Sequence, residues 1–449
     1  MNHVHFIGIG GVSMSGLAQI LLNNGVEVSG SDRQNSPTIE ILRNLGAAIY
    51  INHAESNINN PDLVVYTAAI HNDNEELMAA RAKGIPTITR AEFLGKLMGE
   101  YETSIAIAGT HGKTTTTGMI ASVFMACANP TVLLGGNMSS MNGNVRIGDK
   151  KQIIVEACEY CDSFLEFNPS VSLITNVEAD HLDYFDDLDD IIESFHQFMA
   201  QSGRVVVNAD DANAMRASEG IECVKYSVDY SDSTISSTND RADYIAKNIR
   251  NIQGKTRYEA WHKCIKLCDV ELSVRGLHNV SNSIGALAVC HSCGVAVTDI
   301  IKGLAAFKGT ERRFEYKGSL NGIDLYDDYA HHPTEIKTTI ATAQELPNKN
   351  VWYIFQSHTY TRTLKLKDEF IEVLSPLKNL IIADIYAARE EPIDGVSGKD
   401  MAEWCGAKYL GDFDAIAAYL LENAKPGDAI ITVGAGDAVD IIDKILLKE

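Results

Sequence analysis

The stretch Gly109-Thr110-His111-Gly112-Lys113-Thr114-Thr115-Thr116-Thr117 joins an apolar run at residues 104–108 to a helical pattern at residues 118–128. A glycine-bearing turn between a strand and a helix N-terminus, followed by Lys and Thr, is typical of loops that hold the phosphates of ATP. Lys113 would reach the terminal phosphates, and the Thr114 hydroxyl would bind Mg²⁺. Because Ile107 stands where the usual pattern has its first glycine, we predict a shortened phosphate loop with Lys113 on its solvent-facing side.

The alternative for this stretch is an ordinary glycine-rich turn. A cation in the first turn of a helix is unfavourable unless an anion binds there, because the helix dipole is positive at that end. The position of the lysine therefore favours the phosphate loop.

Composition limits the functions that are open to the chain. Its 449 residues are too many for one core and predict two to three domains. A net charge of −22 opposes nonspecific binding to nucleic acid or to an anionic membrane. Neither a long apolar run nor a cationic leader segment is present. We expect a cytoplasmic monomer or weak homodimer that binds no nucleic acid and no membrane.

Nine cysteines include two pairs with the C-x-x-C spacing of zinc ligands, Cys158/Cys161 and Cys290/Cys293. The pairs lie far apart in the chain, and no histidine has ligand spacing to them. We interpret the cysteines as reduced thiols that are packed mainly as small hydrophobic residues.

Alternating strand and helix patterns predict three linked α/β domains. These are an N-terminal Rossmann-like domain at residues 1–102, a central ATP-binding domain of the P-loop type at residues 103–313, and a C-terminal Rossmann-like domain at residues 314–449. Residues 224–274, with a Ser/Asp-rich turn at residues 231–240, predict an antiparallel hairpin insertion. The helix that follows His278 and Asn279 is expected to close the central domain.

A second glycine-rich loop, residues 8–13, follows the first predicted strand and nearly matches the dinucleotide fingerprint. Ser13 replaces its third glycine, and Asp32 ends the next strand, where a ribose-binding acid would stand. Alone, this loop would suggest an NAD-dependent dehydrogenase. A hydride-transfer enzyme has no use for the ATP loop, so we interpret residues 8–13 as holding the diphosphate of a nucleotide-linked substrate.

Two further positions follow predicted strand ends, Glu156 and the segment that contains His181. Ligands lie beyond the carboxyl ends of strands in open α/β sheets, so both side chains should converge on the phosphates as Mg²⁺ ligands. The alternatives are a solvated carboxylate for Glu156 and, for His181, a structural histidine bonded to Asp180 or Asp183.

The chain resembles the Mur ligases over its whole length. The matching motifs, in order, are HFIGIGGVSMSG at residues 5–16, SGSD at 29–32, VVYTAAI at 64–70, RAEFLGKLM at 90–98, GTHGKTTTT at 109–117, TNVEADHLD at 175–183, GLHNVSN at 276–282, GTERRFE at 309–315, DDYAHHPTEI at 327–336, FQSHTYTRT at 355–363 and GAGD at 434–437.

This resemblance implies ATP-dependent amide formation through an acyl phosphate. The implied substrates are UDP-N-acetylmuramate and L-alanine, and the implied cofactors are ATP and Mg²⁺, in cytoplasmic peptidoglycan precursor synthesis. Two alternatives remain open: a recycling ligase that attaches a tripeptide to the same UDP-sugar, and a relative that binds nucleotide without catalysis.

The resemblance also implies a role for individual residues. Catalytic roles fall to Lys113, His181 and Arg362, and metal ligation falls to Thr114, Glu156 and His181. The ATP-binding set is Gly109, Thr110, His111, Gly112, Lys113, Thr114, Thr115, His278, Asn279, Asn282 and Arg312. The UDP-sugar set is Gly10, Gly11, Val12, Ser13, Asp32, His53 and Ala69. The third-domain residues that close over the reacting groups and the amino acid are Tyr329, His331, His358 and Arg362. We assign no catalytic role to Asp327 and Asp328, for which the alternative is a solvated turn that precedes a helix.

Departures from the family pattern concern two places. Cys158 and Cys161 stand where the family pattern E-A-D-E-S-D has carboxylates. Thr359 stands where the family often has arginine, which removes a cation from the expected amino-acid site. We expect Arg389 to supply the missing cation.

Overall fold

The computed structural model describes residues 1–182, 184–229, 242–252, 254–388 and 390–447. Contacts divide the chain into two compact units. The first consists of Met1–Ser273 and Asn279–Lys308, and the second of Val274–His278 and Gly309–Glu449. No helix among the described residues is long and apolar enough to cross a membrane.

The first sheet is a parallel sheet at the start of the first unit, with strand order β3-β2-β1-β4-β5. Its core contains Val4, Phe6 and Leu17, which are fully buried. This strand order confirms the predicted Rossmann-like, doubly wound α/β arrangement. The elements are β1 (His3–Ile7), α1 (Val12–Asn23), β2 (Glu27–Asp32), α2 (Pro37–Asn44), β3 (Ala48–Ile51), β4 (Leu63–Tyr66), α3 (Glu75–Ala82), β5 (Thr87–Thr89) and α4 (Arg90–Met98).

The second sheet contains the strand that precedes the ATP loop. In the described residues its strand order is β15-β14-β13-β12-β11-β10-β6-β9-β7-β8. The elements are β6 (Thr103–Ala108), α5 (Lys113–Cys127), β7 (Thr131–Met138), β8 (Gly143–Arg146), β9 (Gln152–Glu156), β10 (Val171–Ile174), α6 (Leu188–Ala200), β11 (Val205–Asn208), α7 (Ala212–Ala217), β12 (Cys223–Val228), β13 (Tyr244–Ile252), β14 (Lys255–His262), β15 (Ile265–Leu272), α8 (Leu277–Ser292) and α9 (Val297–Ala306).

The predicted antiparallel insertion forms the outer part of this second sheet. β13, β14 and β15 pair antiparallel, as predicted, whereas β12 still pairs parallel with β11 and with β13. The predicted turn at residues 231–240 lies outside the described residues. One boundary prediction is wrong: α8 begins at Leu277, so His278 and Asn279 belong to its first turn and do not precede it.

The third sheet belongs to the second unit and has the strand order β16-β17-β21-β18-β19-β20. It is parallel except for β16, an antiparallel edge strand that the pattern did not predict. Separate apolar clusters are built around Phe355 and Ile354, neighbours whose side chains leave opposite faces of the same strand. The elements are β16 (Glu315–Leu320), β17 (Ile323–Asp328), α10 (Pro333–Gln344), β18 (Val351–Phe355), α11 (Tyr360–Lys365), α12 (Lys367–Leu374), β19 (Leu380–Ile382), α13 (Gly398–Cys405), β20 (Lys408–Tyr409), α14 (Phe413–Asn423), β21 (Ala429–Val433) and α15 (Asp440–Leu446).

The first two sheets pack together within the first unit. A Cβ on Gly16 of α1 would lie 2.6 Å from Leu133 and 2.9 Å from Val145 of the second sheet. This close packing explains why contacts merge two sheets into one unit, although each sheet has its own α/β pattern. The predicted domain boundaries at residues 102/103 and 313/314 remain predictions.

Candidate functional site

The ATP loop connects β6 to α5 through two glycines with backbone angles that suit only glycine. Gly109 has φ +136° and Gly112 has φ +82°. A Cβ would lie 2.0 Å from the Thr175 Oγ1 atom at Gly109 and 2.8 Å from the Asn282 Oδ1 atom at Gly112. Gly112 is the N-cap of α5, and among the described residues no side chain caps this helix. Its N-terminal N–H groups are thus oriented to bind an anion.

A second segment, which follows β10, holds the ATP loop in place. The Asn176 side chain accepts a hydrogen bond from the His111 backbone N–H (2.8 Å), and Thr175 Oγ1 donates to the His111 carbonyl (2.6 Å). The Glu178 backbone N–H donates to Thr110 Oγ1 (2.9 Å), and the Glu178 carboxylate lies 3.4 Å from the His111 ring. The loop therefore has a fixed shape before any ligand binds.

The prediction that Lys113 faces the solvent is wrong. The lysine forms an ion pair with a buried carboxylate. Its ammonium group donates to both carboxylate oxygens of Glu159 (2.9 and 3.1 Å) and to the backbone carbonyls of Gly109 and Thr110. The exposed fractions of the two charged side chains are 17% for Lys113 and 3% for Glu159. Burial lowers the pKa of Lys113, but Glu159 and its other acidic neighbours together raise it by more, so the lysine stays charged.

Glu159 is a residue that the sequence reasoning missed. Its position three residues after Glu156, just past a strand end, was the available signal. The sequence pattern could not show that this carboxylate forms an ion pair with Lys113 and takes the place of most of the solvent around it.

Thr114 and Glu156 lie together, as predicted for metal ligands. The Thr114 hydroxyl donates to Glu156 Oε2 (3.0 Å), and the other oxygen of Glu156 accepts from the Gly135 backbone N–H (2.5 Å). A hydroxyl and a carboxylate are the hard oxygen donors that Mg²⁺ prefers. The donor set next to the loop therefore fits a magnesium ion.

His181 has different neighbours. Its ring packs on Tyr160 with a centroid distance of 4.8 Å, and its Nε2 atom lies 3.9 Å from the Asp180 carboxylate. It makes no hydrogen bond to Thr114 or Glu156 in the described part of the chain. The backbone of His181 has φ +54°, a strained conformation that is common at functional sites. Its metal role stays a prediction, and Asp183, its other suggested partner, lies outside the described residues.

The remaining residues assigned to ATP fall on α8 and on the segment that follows α9. Asn282 lies next to Gly112 of the ATP loop, and its amide donates to Asn279 (3.2 Å). His278 and Arg312 belong to the second unit. Within the first unit, the structure thus places Asn282 next to the loop and Asn279 next to Asn282. Thr115, also assigned to ATP, is buried in the first turn of α5.

The glycine-rich loop of the first sheet is held by the end of β2. The Ser31 carbonyl accepts hydrogen bonds from Gly8 and Ile9 (2.9 and 3.0 Å). Asp32 accepts one from the Gly10 backbone N–H (2.9 Å), so this predicted ribose-binding acid also shapes the loop. Gly11 is the extended N-cap of α1, and Val12 is half-exposed at the start of that helix. Ala69, in the turn after β4, is half-buried.

His53, another predicted UDP-sugar residue, belongs to a buried polar network that the sequence did not predict. Its Nδ1 atom lies 2.9 Å from Ser31 Oγ and 3.3 Å from the Glu76 carboxylate. Glu76 is fully buried and also accepts hydrogen bonds from Ser31 and from Asn57 (2.5 Å each). Burial raises the pKa of Glu76, but the hydrogen bonds from its polar neighbours lower it by more, so Glu76 stays ionised.

The residues predicted to close over the reacting groups form one cluster in the second unit. The His331 ring lies between Tyr329 (centroid distance 5.6 Å) and His358 (6.0 Å). Arg362 donates to His358 Nδ1 (3.4 Å), and Tyr386, which the sequence reasoning missed, stacks on the His358 ring. Burial, with the nearby His331 and Arg362, lowers the pKa of His358 to about 4, so this imidazole is neutral at pH 7.

The alternative of a solvated turn at Asp327 and Asp328 is wrong. Both residues end β17 and are buried. Asp327 accepts hydrogen bonds from Arg312 Nε (2.8 Å) and Thr432 (2.6 Å), and Arg312 also donates to the carbonyls of Gly434 and Gly436. Asp327 therefore positions the arginine that was assigned to ATP. Burial raises the pKa of Asp328 to about 6.

The structure describes most of the positions that depart from the family pattern. Cys158 and Cys161 are partly buried cysteines, and Cys161 has φ +54°. Thr359 has φ +69° and its backbone N–H donates to the Tyr386 carbonyl (2.9 Å). Arg389, expected to replace the missing cation, lies outside the described residues.

Comparisons with known proteins follow the same three-part order. Models of the Mur ligase family match the chain at residues 3–102 (catalytic domain), 107–290 (middle domain) and 312–436 (glutamate ligase domain). The UDP-N-acetylmuramate–L-alanine ligase of Clostridium acetobutylicum is 45% identical over 455 residues, which cover 99% of this chain and 97% of that protein.

Solved structures agree with these matches. The UDP-N-acetylmuramate–alanine ligase of Thermotoga maritima has a TM-score of 0.83 and 27% identity, with 100% of this chain and 99% of that chain covered. A murein peptide ligase of Psychrobacter arcticus has a TM-score of 0.70 and 25% identity, with coverages of 100% and 98%.

Proposed function

This chain belongs to the Mur ligase family, and from that premise we propose that it joins L-alanine to UDP-N-acetylmuramate in an ATP-dependent reaction of peptidoglycan synthesis. The observation that carries the proposal is the arrangement of Lys113, Thr114 and Glu156. A lysine in an anion-binding loop lies beside a hydroxyl and a carboxylate. The chain that contains it matches an L-alanine ligase over nearly its whole length.

The reaction needs an activated acyl group, because a carboxylate is a poor electrophile. The lactyl carboxylate of the UDP-sugar attacks the γ-phosphorus of ATP, and ADP leaves. The amine of L-alanine then attacks the acyl phosphate carbon, inorganic phosphate leaves, and the amine loses a proton. Both steps bring anions together, so catalysis depends on positioning and on positive charge.

The ATP loop supplies that charge. Lys113 leaves Glu159 and binds the phosphate oxygens, while the N–H groups at the start of α5 bind the remaining phosphate charge. Thr114 and Glu156 would hold Mg²⁺, which would supply positive charge for the transferring phosphoryl group. Glu159 then serves as the resting partner that keeps the lysine next to the loop.

The glycine-rich loop of the first sheet binds the UDP-sugar in this proposal. Its glycines allow a diphosphate to approach the backbone, and the N-terminus of α1 favours negative charge. His53 and Asp32 orient the nucleoside end. Asp32 ends β2 and accepts a hydrogen bond from Gly10 of the loop, and the His53 ring is hydrogen-bonded to Ser31 in the same strand.

Recognition of L-alanine falls to the cluster in the second unit. Because His358 is neutral, the positive charge for the amino-acid carboxylate comes from Arg362.

A phosphate-release assay on the purified full-length chain tests the proposal. Release should require ATP, UDP-N-acetylmuramate and L-alanine together. Stronger turnover with a tripeptide than with L-alanine would favour the recycling ligase, whose solved relative has the lower TM-score of the two. ATP binding without release under any combination would support a non-catalytic protein instead.

A further inference from the structure

Arg90 lies beside the glycine-rich loop of the first sheet, and among the described residues it has no anionic partner. It is the first residue of α4, directly after the N-cap Thr89. A positive charge in this position is unfavourable because of the helix dipole. The same reasoning that identified Lys113 therefore applies to a second residue of this chain.

The contacts of Arg90 are few. Its Nη1 atom donates to the Ser13 hydroxyl (3.2 Å), and within the described ranges it has no other hydrogen bond and no carboxylate in ion-pair distance. Arginine carries five N–H donors, so most of them are left for a ligand. In a chain with a net charge of −22, where carboxylates are abundant, this isolation is unusual.

The surroundings make the isolation costly for the free protein. Arg90 is half-buried, and burial lowers its pKa because the charged form loses hydration. An anion that binds next to Ser13 would relieve this cost.

The loop itself needs such a cation. Residues 8–13 contain neither lysine nor arginine, unlike the ATP loop with its Lys113. The Asp32 carboxylate already takes the Gly10 N–H, which brings a negative charge close to any diphosphate. α1 has no acidic residue in its first turn and, among the described residues, no side-chain cap, so its N-terminus also favours an anion.

We propose that Arg90 binds the diphosphate of the UDP-sugar substrate, with its guanidinium group placed by Ser13 at the N-terminus of α1. This inference rests on the proposed function, because it assigns the cation of the site that would hold the UDP-sugar. The planar guanidinium group can bind two phosphate oxygens at once, which a lysine cannot do.

Calorimetric titration of the full-length chain with UDP, without ATP, tests this assignment. Arg90→Gln should weaken UDP binding at least about tenfold, the effect of one or two charge-assisted hydrogen bonds. Arg90→Lys should recover only part of the affinity. Uridine, which lacks the phosphates, should bind equally to the wild type and to Arg90→Gln, and the affinity for ATP should be unchanged.

Two matched controls remove the same charge elsewhere in the first sheet. Arg81→Gln, on the exposed face of α3, should leave UDP binding within about twofold of wild type, as expected for a surface charge. Arg33→Gln removes the exposed arginine that follows Asp32. A loss of UDP affinity in Arg33→Gln but not in Arg90→Gln would assign the diphosphate to Arg33 and overturn the proposal.

Other results separate this proposal from the proposed function. Unchanged UDP binding in Arg90→Gln overturns the role of Arg90 alone. Loss of affinity for UDP-N-acetylmuramate with UDP binding retained would place the sugar acid, and no diphosphate, at Arg90. Failure of the wild type to bind either UDP or the UDP-sugar would overturn both proposals. Loss of ATP binding in Arg90→Gln would show that this variant does not fold. In that case Arg90→Lys decides, and a UDP affinity equal to that of the wild type would overturn the assignment.

Discussion

Lys113→Ala should lower both activity and stability, because it leaves a buried carboxylate without its partner. In the wild type the Lys113 ammonium group lies 2.9 and 3.1 Å from the two oxygens of Glu159, whose side chain is 3% exposed. Removing one member of a buried ion pair costs about 3–5 kcal/mol. For a unit of this size the loss corresponds to a decrease in Tm of roughly 5–8 °C.

A double-mutant cycle separates this effect from catalysis. Lys113→Met combined with Glu159→Gln replaces both charges by neutral groups of similar shape, so most of the lost stability should return. Activity should remain low, by about 100-fold or more, in the single variant Lys113→Met and in the double variant, because neither provides the cation for the transferring phosphoryl group. Glu159→Gln alone keeps the lysine and serves as the fourth corner of the cycle.

The assays are differential scanning calorimetry at a fixed scan rate and phosphate release at saturating substrates. A Tm for Lys113→Ala within about 2 °C of the wild type would refute the buried ion pair, since a solvated pair contributes less than about 1 kcal/mol. Turnover of the double variant near the wild-type rate would refute the phosphate role of Lys113.

Three further predictions address other parts of the chain. Gly11→Val should raise the KM for the UDP-sugar far more than the KM for ATP. A Cβ at Gly11 has room in the fold (nearest atom 3.5 Å), but the valine side chain would obstruct a diphosphate. Equal effects on both KM values would contradict this prediction. Arg362→Ala should weaken the apparent affinity for L-alanine at least about tenfold, whereas Lys365→Ala, on the same helix but exposed, should not; equal losses would remove Arg362 from the site. The pKa of Asp328 is raised to about 6, so ionisation of this carboxyl destabilises the fold as pH rises from about 4 through 6. The free energy of unfolding of Asp328→Asn should therefore increase relative to that of the wild type by about 3 kcal/mol between pH 4 and pH 8. A stability difference that does not change with pH, measured by calorimetry, would show that Asp328 has an ordinary pKa.

The local features of both loops were predictable from the sequence. Gly109 and Gly112 mark a turn between a strand and a helix, and the structure gives both of them positive φ angles. The pairing of Thr114 with Glu156 was predictable too, because carboxyl ends of neighbouring parallel strands meet at one edge of a sheet.

Other parts of the site depended on contacts between distant segments. Glu159 reaches Lys113 across 46 positions, and Asp327 holds Arg312 although the sequence suggested a solvated turn. In each case the pattern of apolar residues predicts the position of the helix or strand. Whether a particular carboxylate is buried depends on the distant segments that pack against it. The same limitation hid β16, an edge strand whose half-exposed residues give little alternation.

The sequence by itself determined the α/β class, the positions of the two phosphate-type loops and most strand ends. These follow from backbone preferences and from hydrophobic periodicity, which act within a few residues. Only the tertiary structure decided which charges are paired. It gives Lys113 a buried partner and, in the part of the chain that the structure describes, gives Arg90 none, because the free energy of a charge depends on the groups and the solvent that the fold places around it.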